Sequence, residues 1–205
     1  MHTISATDPR LTWSGTISLE SNANSTKPWR IPHQDQDIYS PGVSELAGRA
    51  EMPSGVRLRF AAAHMATLGD ELEPLHGHNY IVSARVEGDL TDDSWVIDFS
   101  ALKRYMREAC EELDHHFLLQ AKSPQLESKL IEGSWLIRFQ DREYRFPQQD
   151  VVALPIENST AELLAEWIAR QAIERLREGG HANIRRLAVD VEEMPGQTSG
   201  YATDL

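Results

Sequence analysis

The chain has 205 residues, a length that suits one domain with an appendage, and its apolar and charged fractions of 40% and 25% are typical of a soluble globular protein. No apolar run is long enough to span a bilayer, and the formal net charge of −12 excludes broad electrostatic binding to nucleic acid. A single cysteine, Cys110, excludes an internal disulfide framework and, with no signal-peptide pattern, predicts a cytoplasmic protein.

The N-terminal quarter lacks any periodic apolar pattern. Residues 1–53 are rich in Ser, Thr, Asn, Asp and Pro, with scattered apolar residues. Such a segment cannot bury enough apolar surface to offset its ordering entropy. We therefore expect a polar, flexible extension over residues 1–53 and a folded domain over residues 54–205.

Two strands and a helix are predicted next. Apolar residues alternate from Val56 to His64, which is the period of a half-buried strand, and again from His78 to Glu87, where Gly88-Asp89 follows. Asp98 is a candidate N-cap for a helix with five apolar residues at helical spacing: Leu102, Tyr105, Met106, Ala109 and Leu113.

The second half of the domain is predicted to contain a hairpin, a helix and a strand. A hairpin is predicted between residues 124 and 155, with its turn near Gln140-Asp141-Arg142. Ser159 to Glu162 matches a capping box that opens a second helix, which Gly179-Gly180 ends. The last predicted strand carries Leu187, Val189, Val191 and Glu193 on one face. This element order predicts an α+β fold with helices on one face of an antiparallel sheet.

Three histidines share inward faces of the two predicted strands. His76 and His78 are two residues apart and therefore leave the same face of a strand, if the second strand begins that early. His64 ends the preceding strand on the face of Phe60. If the strands are neighbours, three imidazoles converge and leave a bound Zn²⁺ one open position, as in catalytic zinc sites. The alternative is that each is a hydrogen-bonded core histidine.

Two further groups are candidate site residues. Asp114 precedes His115 just past the first helix, where an Asp can orient a His for acid–base chemistry, although such a pair also occurs as a polar helix end. Glu193 lies on an apolar strand face, where a carboxylate is costly without a partner. The alternative for Glu193 is a frayed strand end that reaches water.

Six short motifs follow one another along the chain: Phe60-x-x-x-His64, His76-Gly77-His78-Asn79-Tyr80, Asp98-Phe99, Leu113-Asp114-His115, Thr160-x-Glu162 and Val191-x-Glu193. In order and spacing they resemble the 6-pyruvoyl/6-carboxy-tetrahydropterin synthase family, over roughly Val56 to Tyr201 outside the hairpin. The resemblance implies the tunnelling fold, a four-stranded antiparallel sheet with two helices. It also implies homo-oligomers, either trimers or hexamers.

The resemblance also implies roles for individual residues. His64, His76 and His78 match the zinc ligands, and Asp114 with His115 matches the catalytic Asp-His pair. Glu193 matches the carboxylate that anchors the pterin edge, and Thr160 and Glu162 match further pterin contacts, although a capping box explains Glu162 equally well. The implied activity is that of a zinc-dependent lyase on the 6-side chain of 7,8-dihydroneopterin or its triphosphate.

One position departs from the family pattern. Most members carry a catalytic cysteine four residues before the His-Gly-His motif, and this chain has Leu72 there. Glu73 follows, and some branches that release 6-hydroxymethyl-dihydropterin use a glutamate near this place. We therefore expect a 6-carboxy- or 6-pyruvoyl-tetrahydropterin synthase-like lyase with Glu73 as a catalytic residue. Two alternatives remain: a glutamate-based variant that releases 6-hydroxymethyl-dihydropterin, or a catalytically silent zinc- and pterin-binding homologue.

Overall fold

The structure is a computed structural model that describes the backbone of Ala47–Met52 and all of residues 58–205. Most of the predicted extension, residues 1–46 and 53, therefore lies outside the described residues, as does Val56, the predicted start of the first strand. Ala47–Met52 forms a strand, although it was predicted to belong to the flexible extension. A pairing partner elsewhere in the chain, and not a local apolar pattern, makes this segment a strand.

Twelve strands and two α-helices make up the described part of the chain. In chain order they are β1 Ala47–Met52, β2 Arg59–His64, β3 Thr67–Leu68, β4 Glu71–Leu72, β5 His76–Asp89, α1 Phe99–Leu113, β6 His116–Gln120, β7 Glu127–Ile131, β8 Ser134–Phe139, β9 Arg142–Pro147, β10 Val151–Leu154, α2 Ala161–Glu178, β11 Ile184–Met194 and β12 Gln197–Asp204. Neither helix combines enough length with enough apolar surface to span a bilayer.

The main sheet has the strand order β10-β6-β2-β5-β11-β12, and β1 joins it beside β5. Strands β2, β5, β11 and β12 are antiparallel neighbours, as expected for the four-stranded sheet. The sheet is larger than predicted because β6 pairs with β2 in parallel, β10 pairs with β6 in parallel, and β1 pairs with β5. Parallel strands buried on both faces lack the alternation that revealed the others, and four of the five residues of β6 are buried.

Both helices pack on one face of this sheet, which confirms the predicted α+β class. The core joins inward residues of β2, β5 and β11 to the apolar stripes of α1 and α2. Asp98 caps α1, as predicted, by accepting a hydrogen bond from the Ser100 N–H at 2.9 Å. Gly180, with φ of 74°, follows the end of α2 in the left-handed conformation expected of a glycine there. The predicted capping box does not form, because Thr160 is the N-cap of α2 and makes no side-chain capping bond.

The predicted hairpin is part of a three-stranded antiparallel sheet of β7, β8 and β9, which we call the meander. Its β8–β9 turn falls at Gln140 and Asp141, as predicted. Strand β7 was not predicted, because its side chains are mostly exposed and carry no apolar alternation. The meander builds a second core of six buried residues: Met65, Leu72, Phe117, Leu119, Ile137 and Phe139.

Candidate functional site

Three histidine side chains converge where β2 and β5 pair. The strand β5 begins at His76, so His76 and His78 leave the same face, and the register places His64 opposite His76. One ligand nitrogen from each ring lies within 4.8 Å of the others. The centroids of the three rings are 4.5 to 5.2 Å apart. The three residues can therefore hold one metal ion.

Hydrogen bonds to backbone carbonyls fix the orientation of two of these rings. His64 Nδ1 donates to the Ser159 carbonyl at 2.9 Å, and His76 Nδ1 donates to the Pro74 carbonyl at 2.8 Å. In the neutral rings both Nε2 atoms then carry lone pairs, and they face each other at 3.1 Å. A cation between them removes this repulsion, so the donor set fits Zn²⁺.

Burial keeps His64 in the neutral form that a metal needs. His64 is 2% exposed, and this burial lowers the pKa of its imidazole to about 4, which the bond to the Ser159 carbonyl offsets only in part. A neutral imidazole at neutral pH offers its lone pair without first losing a proton. The ring is therefore already in the ligand form.

The triad opens into a cavity of about 460 Å³ with an acidic lining. Three carboxylates reach it: Glu73, Glu162 and Glu193. Glu73 Oε2 lies 3.9 Å from His76 Nε2. The lining contains neither Lys nor Arg from the described part of the chain. The cavity therefore favours cations, and N–H or O–H donors, over anionic groups.

Glu193 reaches the cavity because it continues the face of β11 that carries the buried Val189 and Val191. A register shift between Glu192 and Met194 takes Glu193 out of the ladder with β12. Its Oε1 atom is buried and has no hydrogen-bond partner among the described residues, and burial raises the pKa of the carboxyl. The neighbouring Tyr80 hydroxyl is also buried, and burial together with the Glu193 charge raises its pKa. An unpartnered acceptor in a cavity suits a ligand that brings N–H donors.

Thr160 and Glu162 both line this cavity from the start of α2. Glu162 Oε1 accepts a hydrogen bond from the Ser199 hydroxyl at 2.7 Å, and this bond lowers the pKa of the carboxyl. Glu162 thus connects α2 to β12. Strand β12 supplies Gln197, Thr198 and Ser199 to the lining of this cavity. It was not predicted, because its polar sequence gives no strand pattern.

Asp114 and His115 form the expected pair away from this cavity. Asp114 Oδ2 accepts from His115 Nδ1 at 2.8 Å, while Asp114 Oδ1 accepts from the Ala61 N–H at 2.8 Å. The His115 side chain is 81% exposed and its φ is 60°. His115 lines two further cavities, one of which also includes His78, and Asp114 lines the other. Within one chain, the structure does not bring this pair to the histidine triad.

Leu72 and Glu73 point to different places. Leu72 is 4% exposed and packs in the second core, whereas Glu73 lines the cavity. Cys110 is buried on α1, and burial raises the pKa of its thiol to about 12, so it supplies no thiolate at neutral pH. In this segment, the carboxylate that reaches the triad is that of Glu73.

Comparison with known families gives two matches. The model described as 6-pyruvoyl tetrahydropterin synthase matches residues 55–204, well over half of the chain. A model described as the SsfX3 N-terminal domain matches residues 11–71, which is less than half of the chain and overlaps the first match.

Individual proteins agree with the first match. The chain is 33% identical over 145 residues to a putative 6-carboxy-5,6,7,8-tetrahydropterin synthase of Methanocaldococcus jannaschii, covering 70% of this chain and 89% of the relative. It is 39% identical over 62 residues to the dihydroneopterin monophosphate aldolase of Pyrococcus furiosus, covering 30% and 53%. A solved Plasmodium vivax 6-pyruvoyltetrahydropterin synthase, a catalytic-residue mutant with alanine in place of glutamate, is 34% identical with a TM-score of 0.71, covering 77% and 99%.

Proposed function

Because this chain belongs to the 6-pyruvoyl tetrahydropterin synthase family, we propose that it is a zinc-dependent lyase that cleaves the 6-side chain of 7,8-dihydroneopterin, with Glu73 as the base. One observation carries the proposal. Glu73 lines the cavity 3.9 Å from a nitrogen of the histidine triad, while Leu72, at the family's cysteine position, is buried elsewhere.

His64, His76 and His78 would hold the zinc through their ring nitrogens. When bound, zinc supplies a Lewis acid that lowers the pKa of a coordinated hydroxyl. Glu193 would anchor the pterin, because a carboxylate can accept two adjacent N–H groups of its 2-amino-pyrimidinone edge. The unpartnered Oε1 atom supports this assignment, with Thr160 and Glu162 as further contacts.

Glu73 would take the proton from the 2′-hydroxyl of the side chain. The C1′–C2′ bond would then break in an aldol-type cleavage, which releases C2′ and C3′ as glycolaldehyde and leaves the electron pair on C1′. A proton must return to the carbon that stays on the ring, which gives a 6-hydroxymethyl product. The related Plasmodium vivax enzyme with a catalytic glutamate supports a carboxylate base, and the Pyrococcus furiosus aldolase supports this type of cleavage.

His115, oriented by Asp114, is the proposed proton carrier. It does not line the cavity of its own chain, so this role requires a second copy of the chain to bring it there. The exposure of the His115 ring leaves it available for such a contact. The role therefore requires the homo-oligomer that the family resemblance implies.

The acidic lining favours an unphosphorylated side chain. A triphosphate would place several negative charges beside Glu73, Glu162 and Glu193, and the described lining offers no Lys or Arg to balance them. We therefore propose 7,8-dihydroneopterin rather than its triphosphate as the substrate. The cytoplasmic location expected from the sequence remains part of this proposal.

Product analysis tests the proposal. The wild type, with about one zinc per chain, should convert 7,8-dihydroneopterin to 6-hydroxymethyl-dihydropterin and act poorly on the triphosphate. Glu73→Gln should lose about 10²- to 10⁴-fold in rate with zinc retained, whereas Glu71→Gln, in the adjacent strand β4 but outside the cavity, should keep its activity.

Four outcomes would overturn parts of the proposal. A 6-carboxy or 6-pyruvoyl product would favour the synthase reaction, and binding without turnover would favour a silent homologue. No zinc in wild-type protein purified without chelator, or zinc retained by His78→Ala, would contradict the metal site. Leu72→Cys should destabilise the second core without adding activity, since this side chain faces away from the cavity.

A further inference from the structure

Glu73 directly follows a two-stranded ribbon of β3 and β4, residues 67–72, that contacts the meander through Leu72. We propose that the meander positions Glu73 for catalysis and that Arg142, at the start of β9, is the main positioning residue. This inference rests on the proposed role of Glu73 as the base. It assigns a role to a segment that the sequence analysis left without one.

Three side chains in or just before the meander bind the backbone of the ribbon, and Asn158, outside the meander, binds both the N–H and the carbonyl of Thr67 at the far end of the ribbon. Arg142 Nη2 donates to the Leu72 carbonyl at 2.6 Å, and Gln140 Nε2 donates to the Asp70 carbonyl at 3.3 Å. Gln125 Nε2, just before β7, donates to the Gly69 carbonyl at 2.7 Å. The carbonyl held by Arg142 belongs to the peptide bond that joins Leu72 to Glu73.

The ribbon needs this support because it is too short to hold itself. Each of its strands has two residues, and an isolated pair of strands is marginal in water even when longer. One side chain of the ribbon, Leu72, is buried, and it packs with Ile137 and Phe139 of the meander. The meander therefore fixes both the side chain and the carbonyl of the residue before Glu73.

Arginine suits this position better than lysine. The Arg142 guanidinium carbon lies 5.3 Å from the centroid of the Phe139 ring, its cross-strand partner, so the planar group contacts the ring while it donates to the carbonyl. A lysine at this position can donate to the carbonyl but lacks the planar group. We therefore expect Arg142→Lys to restore part of what Arg142→Ala loses.

Small displacements of the ribbon should move the Glu73 carboxylate within the candidate active site. The Glu73 N–H donates to the Ala66 carbonyl at 2.9 Å, and Glu73 Oε2 is 3.9 Å from His76 Nε2. A shift of about 1 Å at a reacting group can cost about 100-fold in rate. Loss of the Arg142 bond should thus reduce turnover without removing a ligand of the zinc or a contact of the pterin.

Kinetics of matched variants of the full chain test the inference. Arg142→Ala should lower kcat about 10- to 100-fold, with KM within about twofold and zinc content unchanged, and Arg142→Lys should fall between it and the wild type. Arg138→Ala is the control, because this arginine of β8 pairs with Glu143 at the surface and does not contact the ribbon in the structure. Its kcat should equal that of the wild type.

Amide hydrogen exchange supplies a readout independent of activity. The Glu73 amide and its ribbon should exchange faster in Arg142→Ala than in the wild type and in Arg138→Ala. Unchanged exchange and kcat in Arg142→Ala would overturn the inference even if Glu73→Gln is inactive. Faster exchange in Arg142→Ala, together with full activity of Glu73→Gln, would show that Arg142 orders the ribbon but that another group is the base. That result would overturn both the role of Arg142 in catalysis and the proposed function.

Discussion

At the scale of single residues, alternate side chains decide which carboxylates face the candidate site. Glu193 lines the cavity, whereas Glu192 Oε1 accepts a hydrogen bond from the Gly196 N–H at 2.9 Å in the β11–β12 turn. Leu72 and Glu73 show the same division, one in the second core and one in the cavity. Adjacent residues of an extended chain point to opposite sides, so a shift of one residue decides whether a carboxylate faces the cavity.

Glu193 provides the first prediction. Glu193→Ala should abolish pterin binding and leave zinc bound, because it removes the buried acceptor and none of the three histidines. Glu192→Gln is the matched control, since its amide oxygen can still accept from Gly196, and it should bind like the wild type. Calorimetric titration with a pterin ligand measures both, and equal affinities would refute the assignment.

The Asp114 carboxylate gives a prediction of pH dependence. Burial alone would raise the pKa of this carboxyl, but the Ala61 N–H and the His115 ring outweigh it and hold the pKa below its ordinary value. A lowered pKa means that the charged form stabilises the folded state above the unfolded pKa, and that this stabilisation is lost as the pH falls through the folded pKa.

The thermal stability of Asp114→Asn should therefore depend on pH in a defined way. Near pH 7 it should melt at a lower temperature than the wild type, and the gap should close as the pH falls below about 4. Melting curves recorded from pH 3 to 7 measure this. The exposed Asp93→Asn serves as the control and should follow the wild type, whereas a gap independent of pH would contradict the role of the charge.

At the scale of elements, the close approach of β2 and β5 explains the glycine between the two histidines. A Cβ added to Gly77 would lie 2.7 Å from the Ala62 carbonyl oxygen and 3.3 Å from the Ala63 Cα. Both contacts are with backbone, which cannot move without changing the strand pairing that places His64 opposite His76. The triad therefore depends on the absence of a side chain at position 77.

Gly77→Ala should accordingly weaken both the fold and the metal site. We expect a loss of about 1–3 kcal/mol in the free energy of unfolding, as for other overpacked positions, and a lower zinc affinity. Asn79→Ala, the next residue on the same face of β5, is the control and should retain zinc. Denaturant unfolding and metal competition measure the two effects, and full zinc affinity in Gly77→Ala would contradict the explanation.

At the scale of the whole molecule, the candidate catalytic groups occupy two separate places. The triad, Glu73 and Glu193 share one cavity, while Asp114 and His115 lie at others. If the chain is an oligomer in which one copy completes the cavity of the next, two inactive variants should complement each other. His76→Ala would keep the Asp-His pair, and His115→Ala would keep the zinc site.

Mixed oligomers of these two variants should regain about a quarter of the wild-type activity. Each active site needs a zinc half from one chain and an Asp-His half from its neighbour. In a random equal mixture each of these half-sites is intact in about half of the chains, so both are intact in about a quarter of the sites. A mixture of His76→Ala with His78→Ala should regain none, since both lack the same half-site. The molar mass should be that of a trimer or hexamer. A monomer, or a mixture without recovery, would place the proton carrier elsewhere.

The sequence alone determined those features that local chemistry dictates. Alternation revealed β2, β5 and β11, helical spacing revealed α1 and α2, and the Asp98 cap and the glycine end of α2 follow from backbone geometry. The inward faces of His64, His76 and His78 also follow, because side-chain direction in a strand depends only on parity.

Tertiary structure decided what depends on distant partners. Strands β1, β6, β10 and β12 have no alternating apolar pattern, and pairing with neighbours far along the chain makes them strands. The bond from Arg142 to the Leu72 carbonyl spans 70 residues, and no local pattern predicts it. The distance between the Asp114–His115 pair and the triad also depends on residues far apart in the chain. The sequence shows which chemical groups are present, but only the packing of the sheet, the helices and the meander determines how far apart they lie.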